Sequence, residues 1–113
     1  MSELGPADFD DLFSRNEKAL VLFYAVWCPF CQRFKPIFDS IDTNFFLFSS
    51  KLNDDDSPLW DRFSIETVPT IIAFDGEKII GRRDARKGIG LTKDDVDTLL
   101  KELKSCDCKL GNA

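Results

Sequence analysis

The run Ala19-Leu20-Val21-Leu22-Phe23-Tyr24 constrains this chain more than any other part of it. Consecutive apolar residues with β-branched and aromatic members read as a strand covered on both faces, because a strand with one wet face alternates apolar and polar positions. Even carried on to Trp27, the stretch falls far short of the roughly 18 residues that a membrane span requires. Such a strand sits inside a sheet with helices on either side, and the remaining sequence supplies them.

After Pro6, Phe9, Leu12 and Phe13 recur at helical spacing among acids, which predicts a helix to about Lys18. Phe30, Phe34, Ile37, Phe38 and Ile41 form a second helical stripe from Pro29 to about Ser40, with Pro36 inside it expected to kink the helix. Phe45 to Lys51 reads as a strand, the Asn53-Asp54-Asp55-Asp56-Ser57 stretch as a loop, and Pro58 opens a short helix through Phe63. Thr70 to Phe74, an Asp75-Gly76 turn and Lys78-Ile79-Ile80 predict a hairpin. Thr92 with Asp95 three positions on resembles a capping box for a last helix carrying Val96, Leu99, Leu100 and Leu103. Strands separated by helices imply right-handed crossovers and parallel pairing, closed by the antiparallel hairpin. The fold class is therefore α/β, with a central mixed sheet of about four strands flanked by helices. The first strand is short or missing, since Glu3-Leu4 makes at most a short edge.

With 113 residues, 43% of them hydrophobic, the chain is long enough for one sizeable core, and most of its eleven phenylalanines belong there. A net charge of −5 argues against nucleic acid as a partner, and no basic segment followed by an apolar run marks the amino terminus. A cytoplasmic, monomeric protein without a membrane partner is expected. In that compartment the four cysteines read as redox or metal-binding groups rather than structural staples, and histidine, the commonest nitrogen ligand, is absent.

Cys28-Pro29-Phe30-Cys31 directly follows the buried strand and opens a helix. Unpaired backbone N–H groups and the positive helix end favour a thiolate at Cys28, and one turn onward Cys31 faces the same side. Cys31 can then attack a mixed disulfide formed at Cys28 and release the substrate reduced. Taken alone, the C-x-x-C remains divided between a redox pair, half of a metal site and chance. The strand-to-helix junction favours the first.

Around this pair the sequence resembles the thioredoxin family. Tyr24-Ala25-Val26-Trp27-Cys28-Pro29-Phe30-Cys31 is similar to its active-site segment, and Pro36 to the proline of the following helix. Lys51-Leu52-Asn53, Val68-Pro69-Thr70, Phe74-Asp75-Gly76 and Gly90-Leu91-Thr92-Lys93 match later landmarks, so the likeness runs from about Phe9 to Leu103. The resemblance implies a thioredoxin-like domain over residues 1–104, with a tail over 105–113 that holds Cys106 and Cys108. It implies Cys28 as the attacking thiolate and Cys31 as the resolving thiol. It also implies a cis Pro69 that presents the Val68 backbone to substrate and keeps metal from the pair. Trp27, Pro29 and Phe30 would form the adjoining contact surface. Disulfide-bearing proteins are the implied substrates, and a reductase or a small thiol the implied electron donor. No cofactor beyond the redox-active disulfide and no metal is called for.

Departures from the family are as informative. Leu22 stands where thioredoxins carry a buried acid, which leaves Lys51 without its usual partner and predicts a simpler pH dependence. Pro29-Phe30 replaces Gly-Pro and points to a less reducing pair. Arg82, Arg83, Arg86 and Lys87 form a basic stretch that either attracts an acidic partner or is simply solvated. Cys106-Asp107-Cys108 reads as an auxiliary redox pair, a metal ligand pair or two exposed thiols. Two alternatives stay open: a zinc or iron–sulfur protein using Cys28, Cys31, Cys106 and Cys108, and a glutathione-dependent, glutaredoxin-like enzyme.

Overall fold

Along the apolar run, alternate side chains enter two separate cores. Leu20, Leu22 and Tyr24 point to one face of the sheet, while Ala19, Val21 and Phe23 point to the other. Both faces being covered is why the run contains no polar position. The structure, a computed structural model, describes residues 2–52, 57–86 and 88–111, with side chains over 3–52, 57–86 and 88–103.

In chain order the elements are β1 (Ser2–Glu3), a 3-10 turn at Pro6–Asp8, α1 (Phe9–Ser14), β2 (Lys18–Tyr24), α2 (Pro29–Asp39), β3 (Phe46–Lys51), α3 (Leu59–Arg62), β4 (Thr70–Asp75), β5 (Lys78–Asp84) and α4 (Lys93–Gly111). The sheet order is β1-β3-β2-β4-β5. β1, β3 and β2 are parallel, and β4 and β5 join antiparallel. Four substantial strands thus form the expected mixed sheet, and the two-residue β1 supplies its short edge.

α2 and α4 cover one face, where Phe34, Phe38, Val96, Leu99 and Leu103 pack against Leu20 and Leu22. α1 and α3 cover the other, where Phe9 stacks on Phe23 at 5.7 Å and tilts against Phe63 at 5.1 Å. Full burial of a leucine or phenylalanine contributes about 1.5–3 kcal/mol, so these two clusters dominate the stability. Gly81 of β5 lies so close to α4 that a Cβ there would meet Leu99 Cδ1 at 2.9 Å.

Several boundaries differ from expectation, each for a local reason. α1 ends at Ser14 instead of running to Lys18, because Asn16 adopts a left-handed conformation (φ 54°) that stops the helix. The hairpin loop is Gly76-Glu77, one position later than expected, and Gly76 (φ 62°) provides the positive φ that tight hairpin turns need. β5 continues to Asp84, well past Ile80, since an edge strand tolerates the outward arginines that break the apolar pattern. α4 continues to Gly111, with no proline or glycine to interrupt it earlier. Cys106 and Cys108 therefore fall within the last helix and not in a tail beyond it, and their side chains lie outside the described residues, as do Asn53 and Lys87. The predicted capping box forms as drawn: the Thr92 amide donates to Asp95 Oδ2 at 2.8 Å, and the Asp95 amide to Thr92 Oγ1 at 3.3 Å.

Candidate active site

β2 delivers the chain through Ala25, Val26 and Trp27 to Cys28, which is the N-cap of α2 with an extended backbone (φ −89°, ψ 119°). Pro29 occupies the first helical position, where its missing N–H costs nothing and its fixed φ suits the helix. Ahead of Cys28 lie the first-turn amides that find no carbonyl within the helix. The Gln32 side chain donates to the Val26 carbonyl at 2.8 Å and holds the approach loop to the helix.

Both Cys28 and Cys31 are buried free thiols. Cys28 Sγ sits 3.7 Å from the Val68 carbonyl, to which the thiol donates, and the Ala25 amide donates to Cys31 Sγ at 3.5 Å. The Val68–Pro69 peptide is cis, and Pro69 is buried while Val68 is half-buried. Burial pushes the Cys31 thiol up to about 12, with the neighbouring Cys28 adding to the rise and the Ala25 amide opposing it. Cys31 is accordingly held protonated at neutral pH.

Leu22 is fully buried in the same cluster as both cysteines, so an apolar side chain backs the pair. Lys51 instead lies 4.0 Å from Glu3 of β1, whose carboxylate also accepts from Tyr24 Oη at 3.0 Å and Ser49 Oγ at 2.6 Å. Burial, together with Glu3, raises the Tyr24 phenol to about 12. The sequence marked Glu3 only as part of a short edge and not as the partner of Lys51, because that pairing depends on β1 lying beside β3.

Trp27 is 60% exposed and Pro29 is exposed beside it, whereas Phe30 is half-buried. Gly90 is the second residue that local patterns missed. At φ 78° it presses its backbone on Phe30, and a Cβ there would stand 2.9 Å from both Phe30 Cβ and Cδ1. Its loop is closed by Arg86–Gly90 backbone bonds of 3.1 and 2.8 Å and tied to α4 by the Arg86–Asp95 ion pair at 2.9 Å. The basic stretch is largely consumed in such pairs: Arg82 binds Asp84 at 2.8 Å, and Arg83 binds Glu102. Among the described residues, no group of three or more cysteines, aspartates or glutamates is placed to hold a metal ion. Nor is any described helix long and apolar enough to cross a membrane.

A dithiol at the N-terminus of a helix, facing an X–Pro loop in a mixed sheet flanked by helices, defines a thiol–disulfide oxidoreductase. The thioredoxin family model matches residues 1–102, and the chain belongs to that family. Thioredoxin of Mycoplasmoides gallisepticum is 33% identical over 98 residues, which are 84% of this chain and 93% of that one. A bifunctional thioredoxin reductase/thioredoxin of Mycobacterium leprae is 31% identical over 98 residues, covering 84% of this chain and 21% of the larger protein. Among solved structures, Chlamydomonas reinhardtii thioredoxin f2 superposes with a TM-score of 0.76 at 17% identity, over 90% of this chain and 94% of that one.

Proposed function

We propose that the chain reduces protein disulfides through a Cys28/Cys31 couple. The observation that carries this reading is the unequal setting of the two sulfurs. Cys28 lies at the helix N-cap against the Val68 carbonyl, and Cys31 is buried one turn behind with its thiol pushed up to about 12. In the first step the Cys28 thiolate attacks one sulfur of the substrate disulfide, forming a mixed disulfide and expelling the other sulfur as a thiolate that takes a proton from water. In the second, Cys31 loses its proton as it attacks the Cys28 sulfur. The Cys28–Cys31 disulfide forms, and the second substrate sulfur leaves as a thiol. Two electrons pass to the substrate, and no cofactor besides the cysteine pair is required.

Regeneration needs a dithiol reductase or a small thiol. A reductase is favoured by the relative in which thioredoxin reductase and thioredoxin share one chain. With Pro29-Phe30 between the cysteines, we place the pair less reducing than thioredoxin, whose potential is about −270 mV. The protein is read as a monomer acting in the cytoplasm.

Insulin-disulfide reduction, with thioredoxin reductase or glutathione as alternative donors, tests the proposal. Cys28→Ser is expected to abolish turnover, and Cys31→Ser to accumulate a covalent mixed disulfide visible by mass spectrometry. Full turnover by Cys28→Ser would overturn the assignment.

A further inference from the structure

Arg33 stands two positions after Cys31 on α2. Arg15, Arg62, Arg82, Arg83 and Arg86 each lie against a carboxylate of this chain. Arg33 is exposed and has no such partner among the described residues; its guanidinium sits over the Phe30 ring, 5.7 Å from the centroid. Residues i and i+3 share a helix face, and side chains lean toward the helix N-terminus, which carries this cation toward the cysteine end of α2. An aromatic face orients a guanidinium without neutralising it, and arginine stays charged at any working pH.

Phe30 is a firm base for that cation. Gly90 packs against the Phe30 side chain, and the Arg86–Asp95 pair at 2.9 Å ties the Gly90 loop to α4. Trp27, next to Cys28 in the chain, is 60% exposed, and Ile89, next to Gly90, is 51% exposed. Large exposed apolar side chains suit a polypeptide more than a small thiol. We propose that Arg33, mounted on Phe30, is a specificity-determining contact that selects polypeptide disulfides carrying a carboxylate side chain close to the reacting cysteine.

Geometry sets the spacing. The backbone of Arg33 lies about 7.5 Å along the helix axis from that of Cys28 at 1.5 Å per residue, and its side chain leans back toward the cysteine end. An extended substrate advances about 3.3 Å per residue, so an acid two positions from its cysteine spans a matching distance.

The inference rests on the dithiol reading above, and its test separates the two. Peptides with one cysteine, joined as a mixed disulfide to 2-thiopyridine, would carry Glu, Gln or Lys two positions away. The reduced protein attacks the peptide sulfur, so release of 2-thiopyridone by absorbance reports the first step. At low salt, wild type should react with the Glu peptide roughly two- to five-fold faster than with the Gln peptide, in keeping with an exposed ion pair, and slowest with Lys. In 1 M salt, where charges are screened beyond about 3 Å, the preference should vanish. Arg33→Gln should equalise the Glu and Gln peptides. Lys78→Gln, which removes the same charge at the far end of the sheet, should keep the preference. Equal rates in wild type, or a preference that survives Arg33→Gln, would overturn the proposal. So would Arg33-dependent acceleration with glutathione disulfide but not with the acidic peptide. If wild type reacts no faster than Cys28→Ser with any peptide, the dithiol reading itself fails.

Discussion

Replacing Gly90 with alanine imposes two separable strains. The first is conformational. At φ 78° the residue is left-handed, where a side chain costs about 1–2 kcal/mol. The second is steric, because the new Cβ would stand 2.9 Å from Phe30 Cβ and Cδ1 and 3.0 Å from Cγ. Phe30 Cβ is fixed to the helix backbone and cannot rotate aside, so the loop itself must retreat. Overpacking of this kind costs about 1–3 kcal/mol. Together the two predict a loss of about 2–5 kcal/mol by urea unfolding, read as a lower midpoint at constant m. Repeating the substitution in Phe30→Ala and Phe30→Gly backgrounds makes the account graded. Removing the ring relieves part of the clash, and removing Cβ as well leaves only the φ cost of about 1–2 kcal/mol. The same loss in all three backgrounds would refute the contact between this loop and the active-site helix.

Raising pH probes Cys31. Its folded value of about 12 lies above the ordinary thiol's 9.0, so its contribution to the reduced protein is complete below about pH 9 and lost as pH climbs toward 12. The stability gap between reduced wild type and Cys31→Ala should therefore shrink across that range in denaturation series. Asp95 behaves oppositely. Burial alone would raise its carboxyl, but hydrogen bonds from the Thr92 amide and hydroxyl and from Arg86 outweigh it and hold the group below the usual range. Asp95→Ala should lower stability by about 1–2 kcal/mol at neutral pH, with the difference closing below about pH 4 as wild type protonates. Installing the family's acid as Leu22→Asp places a carboxylate in a fully buried site. We expect a loss of roughly 3–5 kcal/mol at neutral pH, along with a second titration in the pH–rate profile of disulfide reduction that wild type lacks.

Much of the molecule was legible from local pattern. The apolar run of β2, the helical stripe of α2 and the Thr92–Asp95 cap are each encoded within a few residues, where a period of 2 or 3.6 or one hydrogen bond suffices. Cys28-Pro29-Phe30-Cys31 is legible for the same reason, since strand, N-cap and first turn adjoin along the chain. β1 was scarcely visible, because two residues carry no period and its place depends on pairing with β3 and on the Leu4 amide bond to the Ser49 carbonyl at 2.7 Å.

The surroundings of the sulfurs are where tertiary structure decided. Val68 is remote in sequence yet brings its carbonyl to 3.7 Å from Cys28 Sγ, and Gly90 closes on Phe30 from farther still. Arg82 finds its carboxylate two positions on at Asp84, but only folding set Glu102 beside Arg83 and Asp95 beside Arg86, and left Arg33 without a carboxylate among the described residues. Secondary structure and the identity of the nucleophile follow from short-range periodicity and helix-end chemistry, which the chain carries residue by residue. The loop packed against Phe30 and the charge left over on Arg33 depend on which faces meet once the two cores are buried.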